Sequence, residues 1–287
     1  MNGEGCRLQV LVCTLGAEGI RRVCASSHPE VDGVRYLVSW QQPDGHVDVP
    51  EEIKKRNDFE VVVSATRGLS RNRNVALDAA SAPLVLISDD DVGYTAEGLE
   101  RVLKAFEDRP ETDLITMQYE SSGNPKKYVH GEVDLRCNPR GYYATSIEIA
   151  FRLWRLRGAG IRFDERFGIG AEFIAGEEQI LIDDALRAGM RCRYVPGVIC
   201  RHDGSTTSDR HFYDPAYIAT KGAVISRLFR FSWPFRMLTH ALRNAGGGKP
   251  ISRMAYLRAW LGGVARLRHS TKWKGPRQQS GAVPESP

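Results

Sequence analysis

The spacing of apolar and polar positions predicts short buried strands alternating with amphipathic helices. Residues 8–13 (LQVLVC) and 34–40 (VRYLVSW) are β-rich runs, separated by a polar, helix-compatible stretch over 18–26. Residues 60–64 (EVVVS) follow, then 72–80 at helical spacing, then 84–88 (LVLIS). Continuous apolar runs with helices between them predict parallel strands buried on both faces. The same pattern predicts an amphipathic helix over 99–106 and a strand over 113–118. Residues 119–143 are polar and rich in Gly and Pro, which predicts an excursion, and 146–156 are apolar again. A helix is expected over 177–188, stopped at Gly189, and a short strand over 192–195, ended by Pro196. The result is a βαβ architecture in one domain, residues 1–214, followed by a basic helical segment, 215–270, and a disordered tail, 271–287.

Composition adds limits. No run approaches the roughly 18 apolar residues of a spanning helix. Glu4, not a basic segment, precedes the first apolar run, so that run reads as a strand rather than a signal peptide, and the chain is expected to stay in the cytoplasm. The six cysteines are scattered without a C-x-x-C pair, which argues against a zinc site or a disulfide framework.

Charge is unevenly placed. From Pro215 to Pro284 there are thirteen Lys/Arg and no Asp or Glu; with a net charge of +5, the rest of the chain carries −8. In this basic region Val224, Ile225, Leu228, Phe229, Phe231, Trp233, Phe235, Met237 and Leu238 interleave with Arg227, Arg230 and Arg236. A second stretch, 251–267, repeats the pattern with Met254, Leu257, Trp260, Leu261 and Val264. Basic amphipathic helices bearing Trp and Phe suit an anionic membrane surface, and peripheral attachment to the inner membrane face is expected. The plainer alternative is that one apolar face packs on the preceding domain. No RNA- or DNA-binding motif accompanies the charge, so no nucleic-acid partner is expected.

The chemistry centres on Asp89-Asp90-Asp91, directly after an apolar strand. In open α/β sheets ligands bind beyond the carboxyl ends of strands. Three adjacent carboxylates there are costly unless a cation offsets them, and hard oxygens favour magnesium or manganese. Upstream, Gly68-Leu69-Ser70-Arg71-Asn72-Arg73-Asn74 opens a helix, where arginines suit a diphosphate. Downstream lie Phe163-Asp164-Glu165-Arg166-Phe167-Gly168, the pair Glu177-Glu178, and His202 after Pro196.

In this order the motifs resemble the family 2 glycosyltransferases of the GT-A fold, a Rossmann-like mixed sheet flanked by helices. The resemblance spans roughly residues 8–210. It rests on Thr14 after the first strand; Gly68, Ser70, Arg73, Asn74 and Ala80; Asp89 and Asp91 as a D-x-D motif; residues 163–167; Glu177-Glu178; and His202. It implies an inverting enzyme that moves a sugar from a nucleotide-diphosphate donor to a hydroxyl of a glycan or lipid-linked acceptor, as in polysaccharide biosynthesis. Asp91 would bind manganese or magnesium, with His202 as a further metal or diphosphate contact and Asp89 at the ribose or the metal's shell. Thr14, Gln41, Ser70, Arg73, Asn74, Asp89 and Asp90 would form the nucleotide-sugar site. Glu178 would be the general base, and Glu177 would support the loop or a sugar hydroxyl; neighbours on a helix point about 100° apart, so both cannot face one hydroxyl.

The sequence departs from the family pattern where the base should bind. Thr14-Leu15-Gly16 replaces Thr-Tyr-Asn, and Gln41-Gln42-Pro43-Asp44 stands where an acidic residue is usual. Two other readings are a sugar nucleotidyltransferase, which the lack of a Gly-rich basic loop after the first strand disfavours, and a non-catalytic membrane-associated protein on a degenerate transferase fold.

Overall fold

Every second residue of the first strand serves one face of the sheet, and the residues between serve the other. In β1 (Leu8–Leu15), Val10 and Val12 join one buried cluster, while Leu11 and Cys13 join a second. Two such clusters on one sheet require helices on both faces. The computed structural model has that arrangement, and it describes residues 5–270 except 46, 124, 138, 140–141 and 204–210.

Parallel strands β2 (Val34–Gln41), β3 (Phe59–Ser64) and β4 (Leu84–Asp89) flank β1 in the order β3-β2-β1-β4. Beyond β4 come β8 (Ile149–Arg152), β6 (Leu114–Glu120), β9 (Cys192–Arg201) and the two-residue β5 (Gly93–Tyr94), with β7 (Val133–Asp134) also on β9. β8 runs antiparallel to both β4 and β6, which makes the sheet mixed.

Helices α1 (Gly16–Ala25) and α4 (Ala96–Glu107) send Ile20, Val23, Leu99, Val102 and Phe106 into the first cluster. The second cluster takes Ala76 and Leu77 from α3 (Leu69–Ala79), Leu153 and Leu156 from α5 (Leu153–Gly158), and Leu181 and Ala185 from α6 (Glu177–Arg187). A short α2 (Glu51–Lys54) closes the rim.

The last strand is longer than the sequence predicts. β9 runs through Pro196 to Arg201. Its register against β6 shifts between Thr116 and Gln118, which leaves residues 195–197 in a bulge. Pro196 is exposed there and needs no ladder donor. The extension matters because it carries the chain on to His202. The excursion over 119–143 holds only short elements after β6 ends at Glu120. It is tied down by a buried ion pair between Lys126 and Glu148, with the Tyr128 hydroxyl donating to Glu148 at 2.6 Å.

The basic segment forms three helices: α7 (Pro215–Leu228), α8 (Trp233–Asn244) and α9 (Arg253–His269). The apolar stretch over 222–242 is therefore two helices, broken just before Trp233-Pro234, where Pro fits a first turn. The expected tail, 271–287, lies outside the described residues. Among the described residues no helix is long and apolar enough to cross a membrane.

Candidate active site

The parallel register sets the ends of β1, β2 and β4 side by side. Cys13 pairs with Asp89, and Thr14 with Trp40. Three aspartate carboxylates therefore emerge at this edge, and each takes a separate partner.

Asp89 accepts from Arg73 Nη2 at 2.9 Å and from Ser146 Oγ at 3.1 Å. Asp90 turns the other way. It accepts from Thr14 Oγ1 at 2.7 Å and takes both Nε and Nη2 of Arg22 at 2.9 Å. Burial raises the Asp90 carboxyl, and the bonds from Arg22 and Thr14 oppose that rise. Asp91 is 47% exposed and stands 3.4 Å from His202 Nε2. The imidazole lowers the Asp91 pKa, and Asp91 raises that of His202.

The Asp91–His202 pair fits a divalent ion of the manganese or magnesium kind. Its donors are a carboxylate oxygen and an imidazole nitrogen, separated by little more than the ~3 Å between adjacent ligands in an octahedral shell of 2.0–2.1 Å bonds. Among the described residues no cluster of three or more His, Cys, Asp or Glu is placed to hold a metal. A two-residue site that leaves positions to phosphate oxygens and water is the usual habit of magnesium. Asp89, expected also as a ligand, is occupied by Arg73 and Ser146 and is not brought into such a cluster.

Behind the carboxylates lies Arg73, buried on α3 with only 1% of its side chain exposed. Its Nη1 donates to Glu177 Oε1 at 2.9 Å and lies 3.9 Å from Glu178. Burial acts against its charge, but Asp89, Glu177 and Glu178 more than offset this and leave its pKa above the ordinary value. Glu177 and Glu178 form the first turn of α6, where carboxylates are favoured. The helix starts at Gly176, whose φ of 100° lies in the left-handed region. Glu178 keeps 17% of its side chain exposed, and its pKa is pushed up to about 8, first by burial and then by the Glu177 carboxylate.

Several residues expected at the nucleotide are buried and bonded within the fold. The Ser70 hydroxyl donates to the Phe167 carbonyl at 2.5 Å. The Asn74 amide donates to the Phe163 carbonyl at 2.9 Å, and its oxygen accepts from the Phe163 N–H at 3.0 Å. Both side chains are buried, so they join α3 to the loop over 163–173 rather than reach into solvent. Gln41 is likewise buried, and its amide donates to Thr66 Oγ1 and the Gly68 carbonyl. In each case the polar groups that could face a nucleotide are used within the fold.

Sequence reasoning missed Arg22, Ser146 and Asn72. Asn72 donates to the carbonyls of Thr14 and Ser39 at 3.0 and 2.9 Å and so ties together the tips of β1 and β2. It lay within the quoted helix-opening motif, which was the available signal. Arg22 and Ser146 meet their aspartates across 68 and 57 residues, with no local mark.

The nine-stranded mixed sheet flanked by helices, with a carboxylate triplet at one strand end, is the architecture of the GT-A fold. The family model described as Glycosyl transferase family 2 matches residues 41–171. The crystal structure of S. aureus TarS 1–349 superposes with a TM-score of 0.57 at 18% identity, covering 93% of each chain. The same protein in complex with UDP-GlcNAc gives 0.56 at 17%, again over 93% of each chain. The mannosyltransferase PcManGT from Pyrobaculum calidifontis, in complex with GDP-Man and Mn2+, gives 0.51 at 15%, over 93% of this chain and 76% of that one. Likeness at these identities is one of fold. A sequence search of curated proteins found no match. Residues 41–171 carry the family 2 glycosyltransferase match, and the chain has the fold of the GT-A glycosyltransferases, enzymes that transfer glycosyl groups. Thr14, Glu177, Glu178 and His202 fall outside the matched residues, so their roles rest on geometry.

Proposed function

We propose that the chain catalyses metal-dependent, inverting transfer of one sugar from a nucleotide-diphosphate donor to a hydroxyl of a glycan or lipid-linked acceptor. The observation that carries this reading is the division of labour around Arg73. It fixes Glu177 directly and leaves Glu178 nearby, partly exposed and raised in pKa. A carboxylate with a pKa nearer the working pH is the form a general base requires. Asp91 and His202 would hold a manganese or magnesium ion, which supplies charge compensation to the departing diphosphate. Thr14, Asp89 and Asp90 stand at the same edge to bound the donor.

In this reading Glu178 accepts the acceptor hydroxyl's proton as the oxygen attacks the anomeric carbon from the side opposite the leaving group. Glu177 and Arg73 keep the Glu178 carboxylate aimed and limit its access to water. The basic segment would rest on an anionic membrane surface, where a lipid-linked acceptor is presented.

A donor screen tests the proposal: purified protein, manganese, a panel of UDP-, GDP- and other nucleotide sugars, and detection of released nucleoside diphosphate. Release from at least one donor, abolished by EDTA, is expected. Metal-independent release would remove the Asp91–His202 role, and silence with every donor and acceptor would remove the transferase reading.

A further inference from the structure

The three C-terminal helices do not share one role. Helices α7 and α9 are pressed together. A Cβ on Gly222 would lie 2.4 Å from the Trp260 carbonyl oxygen, and one on Gly263 would lie 1.8 Å from that of Ala219. Tyr256 and Trp260 of α9 are buried against Ile218 of α7. α7 also packs on the catalytic domain, where Ala223 and Val224 meet Phe167, Phe173 and Ile180. For these two helices the packing alternative accounts for much of the apolar sequence.

Helix α8 is different. Trp233, Met237, Ala241 and then Ala245 face inward. On the other side Phe235 is 70% exposed, Leu238 50% and Leu242 53%, and Phe231 in the turn just before the helix is 90% exposed. The spacing of three and four residues from Phe235 to Leu242 makes one stripe, with Phe231 at its N-terminal end. An aromatic and aliphatic stripe this exposed is uncommon on a surface that meets only water.

A cavity of about 530 Å³ adjoins the stripe at Phe231. It is lined by Arg187, Arg227, Arg230 and Arg268, with Trp233 and Leu267 as apolar wall. Arg187 is held by Asp183 at 2.6 Å and Arg227 by Asp184 at 2.7 Å. Arg230 and Arg268 lie against the rings of Phe231 and Trp233 at 5.8 and 5.9 Å, and among the described residues neither pairs with a carboxylate. Four arginines against two aspartates leave this cavity two positive charges in excess.

We propose that the outer stripe of α8 and the arginine cavity beside it form a binding site for a bilayer of anionic phospholipid, with the stripe in the acyl boundary and lipid phosphates in the cavity. The occupant follows from the pairing of the two features. Leu238 and Leu242 offer nothing to a polyanion such as nucleic acid, and the arginines offer nothing to a neutral apolar partner. Anionic lipid presents both chemistries side by side at one boundary. The inference deepens the membrane association proposed above and narrows it from the whole basic segment to one helix face.

It also fixes where the membrane lies relative to the chemistry. Arg187 ends the helix that Glu178 begins, nine residues earlier, so the cavity lies about 14 Å along the α6 axis from the base. A lipid-borne hydroxyl has that scale of distance to cover.

Sedimentation of the full chain with vesicles of phosphatidylcholine, with and without phosphatidylglycerol, tests the site at low and high salt. Wild type should bind the anionic vesicles at least about ten-fold more tightly, and salt should weaken the preference. Phe235→Ser/Leu238→Ser should lower that affinity about ten-fold or more. Arg230→Gln/Arg268→Gln should remove the preference for anionic lipid. All four positions lie outside the packed core, and melting curves of the variants should match wild type. Equal binding to both vesicles, wild-type binding by both double variants, or complete release by a single-stranded oligonucleotide or by inorganic phosphate would each overturn the proposal. Nucleoside diphosphate release is measured in the same samples without lipid. Failure of the wild-type protein to bind anionic vesicles, with its nucleotide release intact, overturns the lipid site and leaves the transferase reading standing; wild-type vesicle binding without release from any donor does the reverse.

Discussion

Arg73 Nη1 donates to Glu177 at 2.9 Å from a position sealed from solvent, and the second oxygen of Glu177 is buried with no hydrogen-bond partner among the described residues. The neighbouring Glu178 lies 3.9 Å from the same guanidinium and keeps 17% of its side chain exposed. One glutamate is thus anchored and the other left able to react. Glu178→Gln should keep donor binding and lower kcat by about 100- to 10,000-fold, the usual contribution of a general base. Glu177→Gln should instead loosen the buried network and lower the melting temperature, with the smaller loss of kcat. Steady-state kinetics and thermal melts of both variants decide the matter. A dead Glu177→Gln beside a near-normal Glu178→Gln would transfer the base to Glu177.

The environment of Glu178 also sets a pH profile. Its pKa is raised, first by burial and then by the Glu177 carboxylate, and a base acts only when deprotonated, so the active form grows in as pH rises through neutrality and above. Activity in kcat/KM should climb between pH 6 and 9, well above the range of an ordinary glutamate, and the climb should vanish in Glu178→Gln. The sign for stability is opposite. A carboxyl whose folded pKa is raised contributes fully below the unfolded value, near 4.5, and loses that contribution as pH rises through about 8. Glu178→Gln should therefore melt higher than wild type at pH 8 while being slower. A flat profile from pH 6 to 9 would count against Glu178 as the base.

Asp91 and His202 make the third test. Calorimetric titration of a nucleoside diphosphate with manganese should show tight binding that EDTA, Asp91→Ala and His202→Ala each weaken by about ten-fold or more, the scale of losing one ligand or a charge-assisted contact. Asp90→Asn should act differently, because Asp90 is bound to Arg22 and Thr14 rather than to this pair. It should weaken donor binding equally with and without metal. Equal affinity in manganese, in EDTA and in Asp91→Ala would end the metal assignment.

Much of this arrangement was legible in the sequence because it is local. The alternating apolar runs of β1, β2 and β4 and the acidic triplet after Ser88 depend on near neighbours, so period and position revealed them. Glu177-Glu178 at a helix start was visible for the same reason. Other features depend on chain segments far apart. β8 enters the sheet antiparallel, next to β4, and nothing in residues 149–152 encodes that partner. Pro196 reads as a strand end, yet a bulge set by β6 carries the strand past it. Ser70 and Asn74 were legible as important, but not as inward-facing, since their partners come from the loop over 163–173. In the basic segment the alternation of apolar and basic residues gave no sign that α9 would bury Trp260 while α8 left Phe235 open.

Gly176 joins these levels. It begins α6 with φ near 100°, and a Cβ there would lie 2.4 Å from Cγ2 of Val224 on α7. Alanine at 176 meets two penalties: a left-handed conformation, roughly 1–2 kcal/mol, and overpacking against a stiff β-branched side chain, roughly 1–3 kcal/mol. Gly176→Ala should therefore lose about 2–5 kcal/mol of stability. It should also lower kcat, because Glu177 and Glu178 are the next two residues and move with the start of the helix. Val224→Ala opens the space without touching the backbone. The double variant Gly176→Ala/Val224→Ala should thus recover the packing part of the loss and keep the conformational part. Chemical denaturation gives the four stabilities of this cycle, and kcat of the same proteins shows whether α7 supports the placement of the base. Additive losses in the double variant would mean that Val224 does not press on Gly176 in solution.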